Sequence, residues 1–323
     1  MATSQPITAH EATFADYFDR VVDNIERVIQ GKRDVISMVL LCLVSEGHLL
    51  LEDVPGVGKT SLAKSLATSL DASFGRVQFT PDLLPSDVVG LTVWNRSDGT
   101  FTFRPGPIFN NLVLADEINR ASPKTQAALL EAMAEDQVTV DGTTYQLADP
   151  FMVIATQNPI EHEGTYPLPE SQLDRFLMRV SVGYPTPDAE LEILDKHSDH
   201  DPYADIGPVL SSEHITGLVH AARGVHMAPS IKAYLVDLAN ATRRSPHLAL
   251  GMSPRATLAL GRVARSRAAA AGRAYVIPDD IKALAEPVLA HRLVPTPEAQ
   301  FQGVGPSEAL TQILAAVAVP GGR

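Results

Sequence analysis

Cysteine is almost absent from this sequence. Cys42 is the single thiol in 323 residues, so no intrachain disulfide can form and a reducing compartment is the expected setting. It lies within Val39-Leu40-Leu41-Cys42-Leu43-Val44 and reads as a small buried hydrophobe. Long apolar runs are missing as well. The longest, Val35 to Val44, is interrupted by Ser37 and falls far short of the roughly 20 residues of a membrane span. Met1 to Phe14 lacks the basic region and apolar core of a signal peptide. A cytoplasmic location without membrane insertion is therefore expected. Positive charge is in deficit, with 26 Lys and Arg against 38 Asp and Glu and a formal net charge of −12. On average that repels duplex DNA and anionic membranes. Aromatic residues make up only 6%, Trp94 being the single tryptophan, and none interleaves a basic stretch as stacking of single strands requires. His197 and His200, in His-Ser-Asp-His-Asp, have no cysteine nearby and read as loop rather than as a zinc site.

What is present describes a globular protein with a sizeable core: 45% hydrophobic and 20% charged residues. At about 100–200 residues per domain, two domains are expected. Residues 1–185 alternate short β-like runs (Gly47–Glu52, Val77–Thr80, Asn111–Ala115, Phe151–Thr156) with helical patterns, which predicts an α/β domain with a parallel sheet. Two stretches, Leu91–Arg104 around Asp98-Gly99 and Gln137–Leu147 around Asp141-Gly142, carry the signal of inserted hairpins. Residues 186–323 read as a smaller all-helical domain, with Gly183-Tyr184-Pro185-Thr186-Pro187 as the link. There Ile231, Tyr234, Leu235 and Leu238 form a helical stripe after Ser230. Ser253-Pro254 has the form of an N-cap with proline at the first helical position, and Gly272 that of a stop. Pro278-Asp279-Asp280 opens another helix, and Leu310 to Val319 is an apolar one.

The chemistry is concentrated in a few segments. Leu49 to Glu52 is an apolar strand that runs through Asp53 and Val54 into the loop Pro55, Gly56, Val57, Gly58, Lys59, Thr60, Ser61. A helix follows, with Leu62, Ala63, Leu66, Ala67 and Leu70 on one face. Consecutive N–H groups of such a loop, aimed by the helix N-terminus, cradle phosphate. In that arrangement Lys59 reaches the β- and γ-phosphates and Thr60 holds Mg²⁺, so ATP and Mg²⁺ are the expected cofactors. The strict pattern has glycine where Asp53 stands. Leu112 to Ala115 is a second apolar strand, ending in Asp116 and Glu117. Asp116 suits the Mg²⁺ and its waters, and Glu117 suits polarising a water for attack on the γ-phosphate. The strand Phe151–Thr156 ends in Gln157-Asn158-Pro159, where Asn158 is either a turn residue or a partner of the γ-phosphate and the attacking water. Arg175, in Leu173-Asp174-Arg175-Phe176, is either a surface partner of Asp174 or a finger reaching a neighbouring subunit's nucleotide. Arg255 sits in a first helical turn, where a cation opposes the dipole, so an anion such as the γ-phosphate would repay it. It begins a basic stretch of five arginines (255, 262, 265, 267 and 273) with no acidic residue before Pro278. That stretch reads as an inter-subunit face, a solvated helix face or a nucleic-acid contact.

This order of motifs resembles the AAA+ ATPases, and its wording is closer to the MoxR branch. The matching stretches are Leu51–Thr60, Gln78–Asp87, Ala115–Ala121, Ala155–Pro159, Gly164–Glu170 and Gln172–Phe176, within roughly residues 20–295. The resemblance implies a P-loop core with a helical lid that assembles into a ring, usually a hexamer, with ATP between subunits. It makes Asn158 the sensor 1 residue, Arg175 the trans finger and Arg255 sensor 2, in cis or in trans. Val28 and Ile29 resemble the segment that packs on adenine. The hairpins correspond to insertions that in relatives face the pore or a partner, and Phe101, Phe103 and Tyr145 are candidates for contact there. The implied role is remodelling or maturation of a client protein complex, with a partner carrying a von Willebrand A-type domain. Other readings are a nucleic-acid-linked motor, a magnesium-chelatase-type ATPase subunit, and a scaffold that binds ATP without hydrolysing it.

Overall fold

The structure is a computed structural model, and it describes residues 13–97, 99–159, 164–196 and 202–321. Asp98, His197 and His200 lie outside the described residues. Two helices, α1 (Phe14–Glu26) and α2 (Arg33–Val44), precede β1 (Leu49–Glu52) and α3 (Lys59–Ser69). β2 (Phe74–Gln78) and α4 (Pro85–Val89) lead to the hairpin β3 (Gly90–Asn95) and β4 (Thr100–Pro105). β5 (Leu112–Asp116) and α5 (Pro123–Glu135) are followed by the hairpin β6 (Gln137–Val140) and β7 (Thr143–Gln146). β8 (Met152–Gln157), α6 (Glu170–Leu173), β9 (Met178–Val180) and α7 (Pro187–Lys196) complete this half. The remainder comprises α8 (Ser212–Gly224), α9 (Pro229–Arg244), β10 (Leu248–Leu250), α10 (Pro254–Ala270), α11 (Pro278–Leu289), β11 (Val294–Pro295), α12 (Pro297–Phe301) and α13 (Pro306–Ala316).

The main sheet has five parallel strands in the order β2-β5-β8-β1-β9. Its central strands are near-continuous apolar runs because both faces are covered. Alternation divides them between two cores. Leu49, Leu51, Leu112, Leu114, Met152 and Ile154 pack with α1 to α3. Leu50, Val113, Ala115, Val153 and Ala155 pack with Phe79, Leu129, Met133 and Phe176. The first core continues without a break into the helical half through Leu238, Leu260, Val263 and Ile281. A buried hydroxyl pair, Ser45 Oγ and Ser266 Oγ at 2.7 Å, ties α2 to α10.

Local signals account for both ends of α10. Ser253 Oγ accepts from Ala256 N–H at 3.1 Å with Pro254 at the first position of α10, and Gly272 follows that helix at φ +68°. The stripe Ile231, Tyr234, Leu235, Leu238 is the buried face of α9. Cys42 is buried, and desolvation pushes its thiol up to about 12, leaving it inert. Three features differ from the sequence reading. β2 lies three residues earlier than Val77, because Gly75 and Arg76 dilute the strand pattern at its start. β9 is missed altogether: three residues of Met-Arg-Val show no period, and only pairing with β1 makes them a strand. The helical half holds a minimal antiparallel pair, β10 with β11, again too short for alternation to register.

Candidate active site

Four strand ends converge at the carboxyl edge of the sheet, where open parallel sheets bind ligands. After β1 the chain turns through Gly56 and Gly58 at φ +84° and +89°, left-handed values that glycine adopts without strain. A Cβ on Gly56 would meet nothing within 4 Å, so this exposed position of the loop faces open space. Gly58 is the N-cap of α3, and no side chain caps that helix end. Its first N–H groups therefore face the loop, as an anion site requires. Lys59 Nζ donates to the carbonyls of Asp53 (2.7 Å) and Val54 (3.2 Å). Burial lowers its pKa, opposed by the charges of Asp53, Asp116 and Glu117. Ile29, buried behind the loop, brings its Cδ1 to 3.9 Å from where a Gly58 Cβ would stand, with Val28 packed on the same core.

Asp116 and Glu117 end β5 beside this loop. Thr156, fully buried near the end of β8, joins them: its Oγ1 donates to Asp116 Oδ1 at 2.7 Å and accepts the Glu117 N–H at 2.8 Å. Glu117 itself stands at φ +56°, a strained value for glutamate. Its carboxylate accepts from Gln78 Nε2 (2.8 Å), at the end of β2, and from Arg120 Nη1 (3.0 Å). Arg76 donates to Asp116 Oδ2 at 2.7 Å. Asn158 is buried just past β8, whose last residue Gln157 is in register with Glu52. The neighbouring Gln157 carbonyl accepts from Asp53 N–H. Lys59, Asp116, Glu117 and Asn158 are thus brought together, with Thr60 and Ser61 in the first turn of α3. This donor set fits a nucleoside triphosphate with Mg²⁺: Mg²⁺ keeps several waters and needs one or two protein oxygens beside phosphate, and Thr60 and Asp116 are the candidates for those oxygens. Among the described residues no cluster of three or more His, Cys, Asp or Glu could hold a metal by itself.

Arg175 and Arg255 lie elsewhere. Leu177 N–H donates to the His48 carbonyl, so the Arg175–Leu177 segment enters the sheet beside the start of β1. The phosphate loop leaves from the other end of that strand, about 13 Å further on. Arg175 Nη1 donates to the Leu130 carbonyl at 2.5 Å. Arg255 Nε stands 3.9 Å from Asp174, which also binds the buried Arg292 at 2.8 Å. Arg175, Arg255, Arg262 and Arg265 line a cavity of about 910 Å³ to which no residue of Pro55–Ser61 contributes. The other two arginines of the basic stretch share one carboxylate, that of Asp280, which binds Arg267 (2.8 Å) and Arg273 (2.6 and 2.8 Å). Of the hairpin aromatics, Phe103 and Tyr145 stack on each other at 4.1 Å. Phe101 is 72% exposed beside Trp94 at the tip.

Sequence reasoning gave no role to Thr156, Gln78, Arg120 or Arg76. A signal for Thr156 existed in its place two residues before Asn158. Nothing local announces that Gln78 and Arg120 meet Glu117. Asp53, noted as a departure from the glycine pattern, is 8% exposed. Its Oδ2 accepts from Val182 N–H (2.5 Å), Gly183 N–H (2.8 Å) and Ser181 Oγ (3.0 Å).

Comparison with known proteins finds relatives that match along most of the chain. Residues 48–178 match the ATPase family associated with various cellular activities (AAA), and residues 240–313 match the AAA lid domain. The chain is 41% identical to chaperone MoxR1 of Mycobacterium tuberculosis, over 94% of this chain and 82% of that one. It is 34% identical to protein MoxR of Paracoccus denitrificans (84% and 86%) and 50% identical to the uncharacterized protein YeaC of Bacillus subtilis (97% and 98%). A crystal structure from Cytophaga hutchinsonii, of a protein assigned as an ATPase, superposes with TM-score 0.89 at 38% identity, covering 95% and 96% of the two chains. Among the described residues no helix is long and apolar enough to cross a membrane.

Proposed function

Because the chain belongs to the MoxR family of AAA+ ATPases, we propose that it hydrolyses ATP in a cytoplasmic ring, a hexamer in the family's usual form, and uses the cycle to remodel or mature a client protein complex. The observation that carries this reading is the convergence of Lys59, Asp116, Glu117 and Asn158 on one sheet edge beside an uncapped helix start. Gly56 to Ser61 bind the phosphates through N–H groups, and Lys59 exchanges its two carbonyl partners for phosphate oxygens. Val28 and Ile29 cover the base. Thr60 and Asp116 hold Mg²⁺, which when bound neutralises charge building on the phosphates. Glu117, held by Gln78 and Arg120 in this state, takes the proton of the attacking water once it is released from them. Asn158 orients that water.

The placement of Arg175 and Arg255 at the opposite sheet edge supports a role for both in trans, on the nucleotide of the adjacent subunit. Fingers of this kind contribute about 10³–10⁵ in rate. Arg175→Ala is expected to bind ATP and lose turnover, as is Glu117→Gln. Mixed rings of the two regain part of the activity, since some interfaces then hold an intact Glu117 opposite an intact Arg175. No regain in rings shown to be mixed refutes action in trans. The chaperone name of one relative supports a protein client, and a partner with a von Willebrand A-type domain is the expected adaptor. Capture with ATP-loaded Glu117→Gln, followed by mass spectrometry, tests both. Recovery of nucleic acid and its processing enzymes would favour a nucleic-acid motor instead.

A further inference from the structure

Asp53 occupies a position that a phosphate loop ordinarily gives to glycine, and its side chain does not face the phosphates. It is buried, and its carboxylate gathers the Val182 and Gly183 N–H groups and the Ser181 hydroxyl. Those residues follow β9 and begin the segment that leads through Tyr184 and Pro185 into α7 and the helical half. A second clamp holds the same segment: Lys32 Nζ donates to the Tyr184 carbonyl at 2.7 Å. Lys32 itself lies just beyond Val28 and Ile29. The backbone of Asp53 faces the other way. Its carbonyl accepts from Lys59 Nζ, and its N–H is fixed to the Gln157 carbonyl. One residue therefore touches the phosphate-binding lysine through its main chain and the segment leading to the helical half through its side chain.

We propose that Asp53 is a positioning residue that couples occupancy of the phosphate loop to the seat of the 181–186 segment, and through it to the lid. This rests on the ATPase reading of the loop. When Lys59 turns to a phosphate it releases the Asp53 and Val54 carbonyls, freeing the peptide plane between them. That plane carries the Val54 N–H, which donates to Asp53 Oδ1 at 3.2 Å, so its rotation is passed to the carboxylate and to the three further groups that Oδ2 holds. A ligand shifts such an equilibrium only by its different affinity for the two arrangements, and the effect is reciprocal. Loosening the segment must therefore alter nucleotide affinity by the same factor by which nucleotide alters the segment.

Hydrogen exchange of the peptide spanning Ser181 to Thr186, with and without the β,γ-imido analogue of ATP and Mg²⁺, reads the coupling directly. The wild-type protein is expected to change its exchange there on binding, and Asp53→Ala to lose that response. Turnover of Asp53→Ala should fall on the order of 10–100-fold, as misplacement of reacting groups does, and nucleotide affinity should change by the coupling factor itself, about 5–150-fold. Asp53→Asn keeps the shape and an acceptor oxygen and should recover part of the response. Ser181→Ala, which removes one of the three bonds, should weaken it. Should Asp53→Ala fail to fold, those two variants decide, and a full wild-type response in both overturns the proposal. It is also overturned by wild-type protein that binds the analogue with unchanged exchange at 181–186, or by Asp53→Ala with raised KM and normal turnover, which would assign the carboxylate to the cradle. Absence of analogue binding by the wild-type protein overturns the ATPase reading itself, and the coupling with it.

Discussion

Replacing Thr156 by valine removes one hydroxyl and preserves the branched shape of a buried strand residue. The hydroxyl makes two bonds, to Asp116 Oδ1 at 2.7 Å and from the Glu117 N–H at 2.8 Å. A hydrogen bond to a carboxylate is worth about 1.5–3 kcal/mol, and a neutral one about 0.5–1.5 kcal/mol. Glu117 at φ +56° stores about 1–3 kcal/mol of backbone strain. The bond from its N–H offsets part of that strain, so losing it lets residue 117 relax away from its strained conformation. The carboxylate then no longer points where Gln78 and Arg120 now hold it. Turnover is expected to fall about 10–100-fold, equivalent to about 1.4–2.7 kcal/mol at 1.36 kcal/mol per decade. KM for ATP should stay close to wild type, because the phosphate cradle belongs to β1 and α3 rather than to β8. Thr156→Ser, which keeps the hydroxyl, should restore most of the rate. A coupled steady-state ATPase assay with a separate measurement of nucleotide affinity checks this. Folded Thr156→Val with turnover within about twofold of wild type, or with a raised KM and normal turnover, refutes the reasoning.

Two further predictions concern pH. His48 and His291 are buried and neutral: desolvation above all lowers their pKa values from 6.5 to about 4 and about 3, with Arg292 adding to the effect on His291. A lowered histidine pKa contributes stability that is present above pH 6.5 and is lost as pH falls toward the folded-state value. Unfolding near pH 5 should therefore take up about two protons and cost about 2 kcal/mol per histidine relative to pH 7. Urea midpoints that stay flat between pH 7 and 5 would contradict this. Asp280 behaves differently. Burial raises its pKa, but hydrogen bonds from Arg273, the Ile277 N–H and Arg267 outweigh that and leave it below the usual 3.8. Its contribution is present above about 3.8 and disappears only as pH falls through the lower, folded value. Asp280→Ala at pH 7 strands two arginines and should destabilise by about 3 kcal/mol, seen as a fall in the thermal midpoint. A midpoint unchanged by that substitution would show the network to be idle.

Much of this molecule was legible in one dimension because its signals are local. A phosphate loop needs glycines, a lysine and a hydroxyl at fixed offsets between a strand and a helix, and Gly56 to Thr60 display them in order. Ser253-Pro254 and Gly272 announce both ends of a helix by their backbone chemistry alone. The apolar runs at 49–51, 112–115 and 152–155 are strands buried on both faces and read as such. Composition was less reliable. The arginines after residue 255 look like one basic stretch, yet Arg267 and Arg273 share the carboxylate of Asp280, which lies just past the end of that stretch.

Local order in the chain thus picks out the groups proposed to meet phosphate, since the glycines, the lysine and the hydroxyl of the loop are spaced within a few residues of one another. Which groups act on one another across the sheet is instead a matter of the folded arrangement. Thr156 bridges Asp116 and Glu117 because β8 lies beside β5 in one register. Gln78 reaches Glu117 because β2 flanks β5 on its other side. Asp53 holds residues 181–183 because β9, a strand with no pattern of its own, pairs with β1. Arg175 stands at the far edge of the sheet because it precedes β9 and parallel strands start at one edge and end at the other, and Arg255 of α10 meets the same segment at Asp174. Those relations are set by strand order and register, which arise from contacts some 40 to 130 positions apart in the chain and which no local spacing encodes.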